Sequence, residues 1–303
     1  MPRPTDTPPH AADGLGVPAS DLTAFVARVA ARGRELYRDH PWRRTRDPYA
    51  VLLSEVMLQQ TQVPRVVPRW EAWLEQFPTF EALAAAPLEA VLRAWQGLGY
   101  NRRAVALKRT AEEVVERFGG VLPRDEAILR SLPGIGPATA SGVRAFAHDL
   151  PGVYLETNVR AVFLHELFAD CDGVPDREIV PLVAAAVDEA ACQGISPRDW
   201  YYALLDYGAQ LKRDVPNPSR RSAHHTKQSA FEGSRRQKRA RLQRAVKEAP
   251  GRDADAYALD LAEADAQRAT GRVALGVGET LEILEALVAE GFIVREGNGW
   301  FVA

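Results

Sequence analysis

The chain has 303 residues, of which 46% are hydrophobic and 26% are charged, and its formal net charge is -2, values typical of a globular protein long enough for more than one module. No stretch approaches the ~18 to 20 apolar residues of a membrane span, and the first residues lack the basic and apolar regions of a signal peptide. Two cysteines occur, Cys171 and Cys192, without a CxxC or a Cys/His cluster, which argues against a disulfide framework and against a zinc site.

The first half of the chain is predicted to be helical after a disordered tail at 1–20. In 21–39, Leu22, Phe25, Val26, Val29 and Leu36 recur at helical spacing. Later segments follow the same logic between Pro and Gly stops, often with proline at the first helical position. Further helices are predicted over 48–63, 68–76, 79–85, 87–96, 102–118 and 125–132. Because few segments alternate as strands do, this body is expected to be all-α.

A turn between two of these helices has the most specific local chemistry. In LRSLPGIGPATASGVRAF, 129–146, Gly134 and Gly136 flank Ile135 just before a helix that Pro137 opens. Glycines permit unusual backbone angles and leave N–H groups unshielded beside a helix N-terminus, which attracts a phosphate. The segment resembles the helix-hairpin-helix motif, which grips the DNA backbone without reading sequence, and an ordinary turn between helices is the alternative.

Positive charge is concentrated in the part of the sequence that follows the helical body. The segment 211–244 holds eleven Lys/Arg against two acids, Asp214 and Glu232, and so carries +9. Proline, glycine and small polar residues indicate that 212–236 is a basic loop. Such a loop suits a polyanion, and a solvated linker with a basic bias is the alternative.

The C-terminal segment 237–303 has a different pattern. Helices are predicted over 237–249, 254–265 and 278–290. The ending GFIVREGNGWFVA alternates apolar residues around Asn298-Gly299, as a β-hairpin does. Three helices and a terminal hairpin resemble a small α+β domain of the winged-helix type.

Four sequence blocks together resemble a known family. They are HPWRRTRDPYAVLLSEVMLQQTQV at 40–63, WQGLGYNRRA at 95–104, the hairpin, and DYGAQL at 206–211. Their order and spacing resemble the MutY branch of the helix-hairpin-helix DNA glycosylases, relatives of endonuclease III, over 22–222. The MLQQTQV block is specific to that branch, whereas the wider superfamily shares the hairpin. The resemblance implies a helix-hairpin-helix glycosylase domain over 21–211 and double-stranded DNA with a mispaired or damaged base as partner.

The resemblance also implies the catalytic residues. Glu55 matches the acid that protonates the target purine, a role that needs a raised pKa. Glu156, in Glu156-Thr157-Asn158-Val159, matches the carboxylate that stabilises or captures the oxocarbenium-like sugar. Asn158 matches the residue that helps to position that acid and water. The simpler alternatives are a solvent-facing helix acid for Glu55 and a helix-capping or surface acid for Glu156.

Further positions match DNA contacts and the base pocket. Gln59 and Tyr100 match side chains that fill the gap left by an extruded base and wedge the duplex, although Tyr100 could instead be core. Tyr202 replaces an expected polar pocket residue and could stack on or hydrogen-bond to a different base. The full set of expected DNA contacts is Gln59, Gln60, Tyr100, Leu132, Gly134, Gly136, Arg220 and Arg221, and the expected pocket residues are Trp42, Arg43 and Tyr202.

The sequence departs from the family pattern at several catalytic and structural positions. Glu156 stands where the family has Asp, and the extra methylene moves the carboxylate by about a bond length unless the backbone compensates. Ala138 stands where bifunctional relatives carry the lysine that forms a Schiff base, so strand cleavage is not expected. The four cluster cysteines are replaced by Lys212, Ser219, Ser222 and Gln228, which implies that no iron–sulfur cluster and no other cofactor is bound.

The family's β-rich C-terminal domain, which recognises 8-oxoguanine, is also replaced by the short 237–303. We therefore expect a monomeric, monofunctional glycosylase of the cytoplasm, associated with the nucleoid in a bacterium or archaeon. Adenine opposite 8-oxoguanine or G is the leading substrate, and hydrolysis of its N-glycosidic bond leaves an abasic site. Uracil, thymine or hypoxanthine is the second candidate, and a non-catalytic DNA-binding protein is the third.

Overall fold

A computed structural model describes residues 19–225, 233–266 and 275–302. Within these ranges the protein is helical apart from one two-stranded sheet, as expected for an all-α body with a small α+β end. The expected tail at 1–20 lies almost wholly outside the described residues. No helix in the described ranges is long and apolar enough to cross a membrane. The helices are α1 Ala19–Glu35, α2 Pro48–Leu58, α3 Val63–Gln76, α4 Phe80–Ala85, α5 Leu88–Ala94, α6 Arg102–Phe118, α7 Glu126–Ser131, α8 Pro137–His148, α9 Thr157–Glu166, α10 Asp176–Cys192, α11 Pro197–Asp214, α12 Arg235–Glu248, α13 Ala254–Ala266 and α14 Val277–Ala289, and the strands are β1 Ile293–Glu296 and β2 Gly299–Val302.

Two compact units make up the described chain. The first contains 19–85 and 106–225, and the second contains 86–105, 233–266 and 275–302. The second unit therefore includes α5, the loop before α6 and the start of α6, which all lie within the predicted glycosylase domain over 21–211.

The core of the first unit lies among α1, α8, α9, α10 and α11. Phe25 is fully buried and meets Phe163 and Trp200 edge to face, with ring centroids 5.0 and 6.1 Å apart. Such aromatic contacts add to the stabilisation from burial. This core gives α9 and α11, which carry several of the expected site residues, a rigid support.

Side-chain caps fix where several helices of the first unit begin. Asp47 accepts from the amides of Tyr49 and Ala50 at the start of α2, and Asp125 accepts from Ile128 N at the start of α7. Each cap satisfies amides that lack a partner within the helix. The helix expected over 48–63 is shorter in the structure, since α2 ends at Leu58 and the next helix begins at Val63.

Pro68 lies inside α3, and our expectation that it opens a helix at 68–76 was wrong. The helix begins at Val63 instead, five residues earlier. Proline has no N–H, so Pro68 removes one hydrogen bond near the start of α3.

The second unit has its own core, in which Leu242, Tyr257, Ile283 and Trp300 are almost fully buried. Strands β1 and β2 pair antiparallel, with Glu296 opposite Gly299. The turn is therefore Gly297-Asn298, one residue before the expected Asn298-Gly299, and Gly297 has a positive φ of 60°. Three helices followed by this hairpin have the order expected of a winged-helix domain.

Candidate active site

Glu55 lies in α2, where its carboxyl group faces α8 and the segment before α9. A Cβ at Gly142 of α8 would lie only 2.4 Å from Glu55 Oε2. Tyr154, which is 5% exposed, hydrogen-bonds the same carboxyl group. Burial raises the pKa of Glu55 to about 8; the bond from Tyr154 opposes this rise, and the nearby charge of Glu156 adds to it. Glu55 is therefore protonated at neutral pH, as a proton donor must be.

Glu156 is the N-cap of α9, so the helix itself fixes its carboxylate. Oε1 accepts from the amides of Asn158 and Val159, the latter at 2.9 Å, and Oε2 accepts from Asn158 Nδ2 at 3.3 Å. Burial raises the pKa of Glu156, while the amide bonds and the positive charge of Lys212 favour its ionised form. The capping interpretation is correct as geometry, and the same cap holds this carboxylate close enough to Glu55 to influence it.

The two carboxyl groups are close enough to influence each other electrostatically but have unlike surroundings. Glu55 lies against the hydroxyl group of Tyr154 and the backbone at Gly142, whereas Glu156 accepts hydrogen bonds from two backbone amides and one side-chain amide. Titratable pairs whose environments differ in this way can divide the roles of acid and charged stabiliser. The arrangement can protonate a leaving group on one side and stabilise a cation on the other.

The expected pocket residues are enclosed by protein. Trp42 is buried and meets Trp70 edge to face at 6.2 Å. Arg43 forms a two-pronged ion pair with Asp206 at 2.7 and 2.8 Å, and their side chains are 2% and 1% exposed. This ion pair restricts the Arg43 guanidinium, so any contact with a base requires a rearrangement at this site.

Both faces of the Tyr202 ring are also covered by other side chains. Its ring stacks on Phe146 with centroids 4.4 Å apart and an interplanar angle of 10°, and Arg43 Cζ lies 4.2 Å above the ring centroid. Two groups this close cannot share one face, so each face of Tyr202 has a neighbour. If the Tyr202 ring stacked on a base, Arg43 would be displaced. The Tyr202 hydroxyl group is therefore the better candidate for contact with a base.

The hairpin has the expected form, with α7 and α8 on either side of residues 132–136. Gly134 has a positive φ of 74°, and a Cβ there would lie 2.7 Å from Ala106 Cβ, so this position requires glycine. Gly136 caps α8 and has no atom within 4 Å of its ideal Cβ position. The Leu132 side chain is only 2% exposed and anchors the hairpin in the core, so the DNA contact predicted at this position would have to use the backbone.

The end of α2 forms a strained turn at the expected DNA contacts Gln59 and Gln60. Gln59 Nε2 donates to Thr139 Oγ1 of α8 at 3.1 Å. Gln60 is exposed and has a positive φ of 56°. A left-handed backbone costs a non-glycine residue about 1 kcal/mol or more and is common at functional sites.

Comparisons with known proteins identify the family of this chain. The model of the HhH-GPD superfamily of base excision DNA repair proteins matches residues 53–192. The adenine DNA glycosylase of Mycolicibacterium smegmatis is 44% identical over 49% of this chain and 51% of its own length. The adenine DNA glycosylase of Mycobacterium tuberculosis strain H37Rv is 31% identical over 99% of this chain and 96% of its own length. The chain belongs to the adenine DNA glycosylase family.

A solved structure supports the fold of this adenine glycosylase family member. A thermostable thymine-DNA glycosylase superposes with a TM-score of 0.57 and 24% sequence identity, covering 66% of this chain and 91% of the other. At this identity the likeness concerns the fold alone. The resemblance to the MutY branch and the helix-hairpin-helix fold are both confirmed.

In the second unit, Tyr100 lies in the loop before α6 and, like Gln60, has a left-handed backbone, with φ 48°. Its hydroxyl accepts from Arg236 Nη1 of α12 at 2.8 Å. Asn101 Nδ2 donates to Gln243 Oε1 of the same helix at 2.6 Å. Helix α12 therefore braces the loop that carries the expected wedge residue, a contact that no sequence pattern indicates.

The residues at the family's cluster positions do not fit an iron–sulfur cluster. Ammonium and hydroxyl groups do not replace the thiolates that hold such clusters. Lys212 Nζ donates instead to Asn158 Oδ1 at 2.8 Å, and Ser219 Oγ donates to Thr157 O at 3.0 Å. In the described ranges no group of three or more His, Cys, Asp or Glu side chains could hold a metal ion, and Gln228 lies outside those ranges.

The segment expected as a basic loop is partly ordered. Helix α11 continues through Lys212 to Asp214, and a 3₁₀ helix follows at Pro218–Arg221. Arg220 is exposed and suited to a phosphate. The Arg221 Nη1 group donates to the carbonyl oxygens of Phe168 and Ala169 and so holds the chain in place, and the DNA contact of Arg221 stays a prediction.

Proposed function

We propose that this protein hydrolyses the N-glycosidic bond of adenine mispaired with G or 8-oxoguanine in double-stranded DNA and leaves an abasic site. The observation that carries the proposal is the pair of carboxyl groups, in which burial holds Glu55 protonated beside the capped carboxylate of Glu156. The activity of the adenine DNA glycosylases to which the chain is similar supports the same conclusion.

In the proposed reaction, the bond between C1′ of the sugar and the base nitrogen breaks, and its electron pair leaves with the base. Glu55 donates its proton to a ring nitrogen of the base, which makes the base a better leaving group. Glu156 stabilises the cationic sugar, and a water molecule supplies hydroxyl to C1′. The proton of that water returns to a carboxylate, which restores the enzyme.

We further propose that the protein has no lyase activity and works without an iron–sulfur cluster. Ala138, the second residue of α8, has no amine that could attack the sugar. Lys212 and Ser219, at two of the cluster positions, are hydrogen-bonded to α9. The exposed turn at Gln60 and the hairpin glycines provide backbone for gripping DNA in a manner independent of sequence.

A single-turnover panel tests this proposal. Duplexes would carry A opposite 8-oxoguanine, A opposite G, U opposite G, T opposite G, or hypoxanthine opposite T, and each reaction would be resolved with and without alkali. We expect alkali-dependent cleavage at adenine that Glu55→Gln abolishes while DNA binding, followed by fluorescence anisotropy, is retained. Glu75→Gln, at an exposed position of α3, is the matched control and should behave as wild type.

Other outcomes would contradict specific parts of the proposal. Release of only uracil, thymine or hypoxanthine would refute the assigned substrate. Cleavage without alkali would refute the absence of lyase activity. Binding without release of any base would indicate a non-catalytic DNA-binding protein.

A further inference from the structure

Helices α9 and α11 approach each other most closely where Asn158 meets Gly208. A Cβ at Gly208 would lie 2.2 Å from Asn158 O, so only glycine allows this distance between the helices. Lys212 follows Gly208 by four residues and therefore lies on the same face of α11, one turn further on. The helix packing itself brings the Lys212 side chain to Asn158.

A chain of two hydrogen bonds runs from Lys212 to the carboxylate of Glu156. Lys212 Nζ donates to Asn158 Oδ1 at 2.8 Å, and Asn158 Nδ2 donates to Glu156 Oε2 at 3.3 Å. An amide group has one oxygen and one NH₂ group, so a cation on its oxygen fixes which end faces Glu156. Lys212 thus determines that Asn158 presents a donor, and not an acceptor, to the carboxylate.

Lys212 also contributes positive charge beside Glu156. The cation of Arg160 is balanced by Asp176, which accepts from its Nε and Nη2 at 3.0 and 2.7 Å. Lys212 in turn makes its hydrogen bond to a neutral amide. The titratable groups that influence or face Glu156 are Glu55 of α2, Tyr154 of the preceding segment, Arg160 of α9 and Lys212 of α11.

We propose that Lys212 is a positioning residue for base excision, which orients Asn158 and keeps Glu156 in its ionised state. This inference rests on the proposed function, in which Glu156 stabilises the sugar cation. Lys212 matches a position that holds a cluster ligand in the family. In this chain the lysine side chain at that position influences the Glu156 carboxylate through hydrogen bonds and charge.

Lys212→Met tests the proposal through the pH profile of single-turnover base release. Loss of the cation raises the pKa of Glu156, so the acid limb of the profile should move to higher pH, and release at a given pH on that limb should slow by about threefold to tenfold. Lys212→Arg keeps the charge and should keep the acid limb close to that of wild type. Thermal melts would establish that each variant is folded, and Lys212→Gln provides a second neutral variant.

Arg213→Met is the matched control, since it removes the same charge from an exposed neighbouring position on α11. It can weaken DNA binding but should leave the acid limb unchanged. A second readout does not need activity: ¹³C-glutamate NMR, with the signal assigned by Glu156→Gln, should show the Glu156 carboxyl titrating at higher pH in Lys212→Met. The same Glu156 titration in both proteins, or the same acid limb in Lys212→Met and Arg213→Met, would overturn the proposal. Absence of base release by wild type would instead refute the proposed function and leave the NMR test standing.

Discussion

Replacing Glu55 with Gln should stabilise the folded protein at neutral and alkaline pH while removing its activity. The pKa of Glu55 is about 8 in the folded protein, whereas an ordinary glutamate, as in the unfolded chain, has a pKa of 4.5. Between these values the folded state keeps the proton that the unfolded state has lost, so stability falls as pH rises, by roughly 1.4 kcal/mol per pH unit. A glutamine has no proton to lose and avoids this penalty.

The magnitude follows from the same two values. The interval from 4.5 to about 8 sets a ceiling of about 5 kcal/mol for the cost of ionising Glu55 in the fold. Because the side chain retains some exposure, water and structural relaxation reduce this cost, and we expect Glu55→Gln to gain about 2–3 kcal/mol.

Urea unfolding at several pH values measures this gain. The difference in free energy of unfolding between Glu55→Gln and wild type should be smallest at about pH 5 and should grow until about pH 8. Glu75→Gln, which changes an exposed carboxylate, should show no comparable growth. A difference that stays constant with pH, or a variant less stable than wild type at alkaline pH, would refute the buried protonated state of Glu55.

Three further predictions each concern one side-chain contact. Gly142→Ala places a methyl group 2.4 Å from the Glu55 carboxyl oxygen, so single-turnover base release should slow by about 10- to 100-fold with an unchanged circular dichroism spectrum; an unaltered rate would show that Glu55 need not lie against α8. Asp206→Asn leaves the buried Arg43 cation without its carboxylate, so denaturant unfolding should show a loss of about 3–5 kcal/mol, and a loss below about 1 kcal/mol would contradict the ion pair. Arg236→Met removes the hydrogen bond to the Tyr100 hydroxyl, so extrusion of 2-aminopurine at the target site, followed by fluorescence, should slow by about threefold to tenfold. Unchanged extrusion would contradict a role for α12 in supporting the loop that carries Tyr100.

The sequence was sufficient to predict the features that local chemistry determines. The hairpin glycines were predictable because Gly134 needs a backbone angle that other residues rarely adopt. Helix α6 matches the expected 102–118, since its apolar spacing is regular throughout. Glu55 was found through its motif, but its raised pKa depends on Gly142 and Tyr154, which come from distant parts of the chain.

Features that depend on tertiary contacts could not be predicted in the same way. In the sequence, Tyr154 is indistinguishable from an ordinary core aromatic residue two positions before Glu156, and only the fold shows that it hydrogen-bonds Glu55. Lys212 reads as one charge among eleven in a basic segment, and the close packing at Gly208 gives it its position. Pro68 reads as a helix start, yet α3 accommodates it inside.

The pH dependence of adenine release under single-turnover conditions tests the central claim most directly. With a duplex carrying adenine opposite 8-oxoguanine, the rate should fall as pH rises through about 8, because Glu55 then loses the proton that it must donate. Glu55→Gln should release no adenine at any pH while still binding the duplex. A rate that stays level or rises through this range in wild type, or adenine release by Glu55→Gln, would contradict the assignment of Glu55 as the acid.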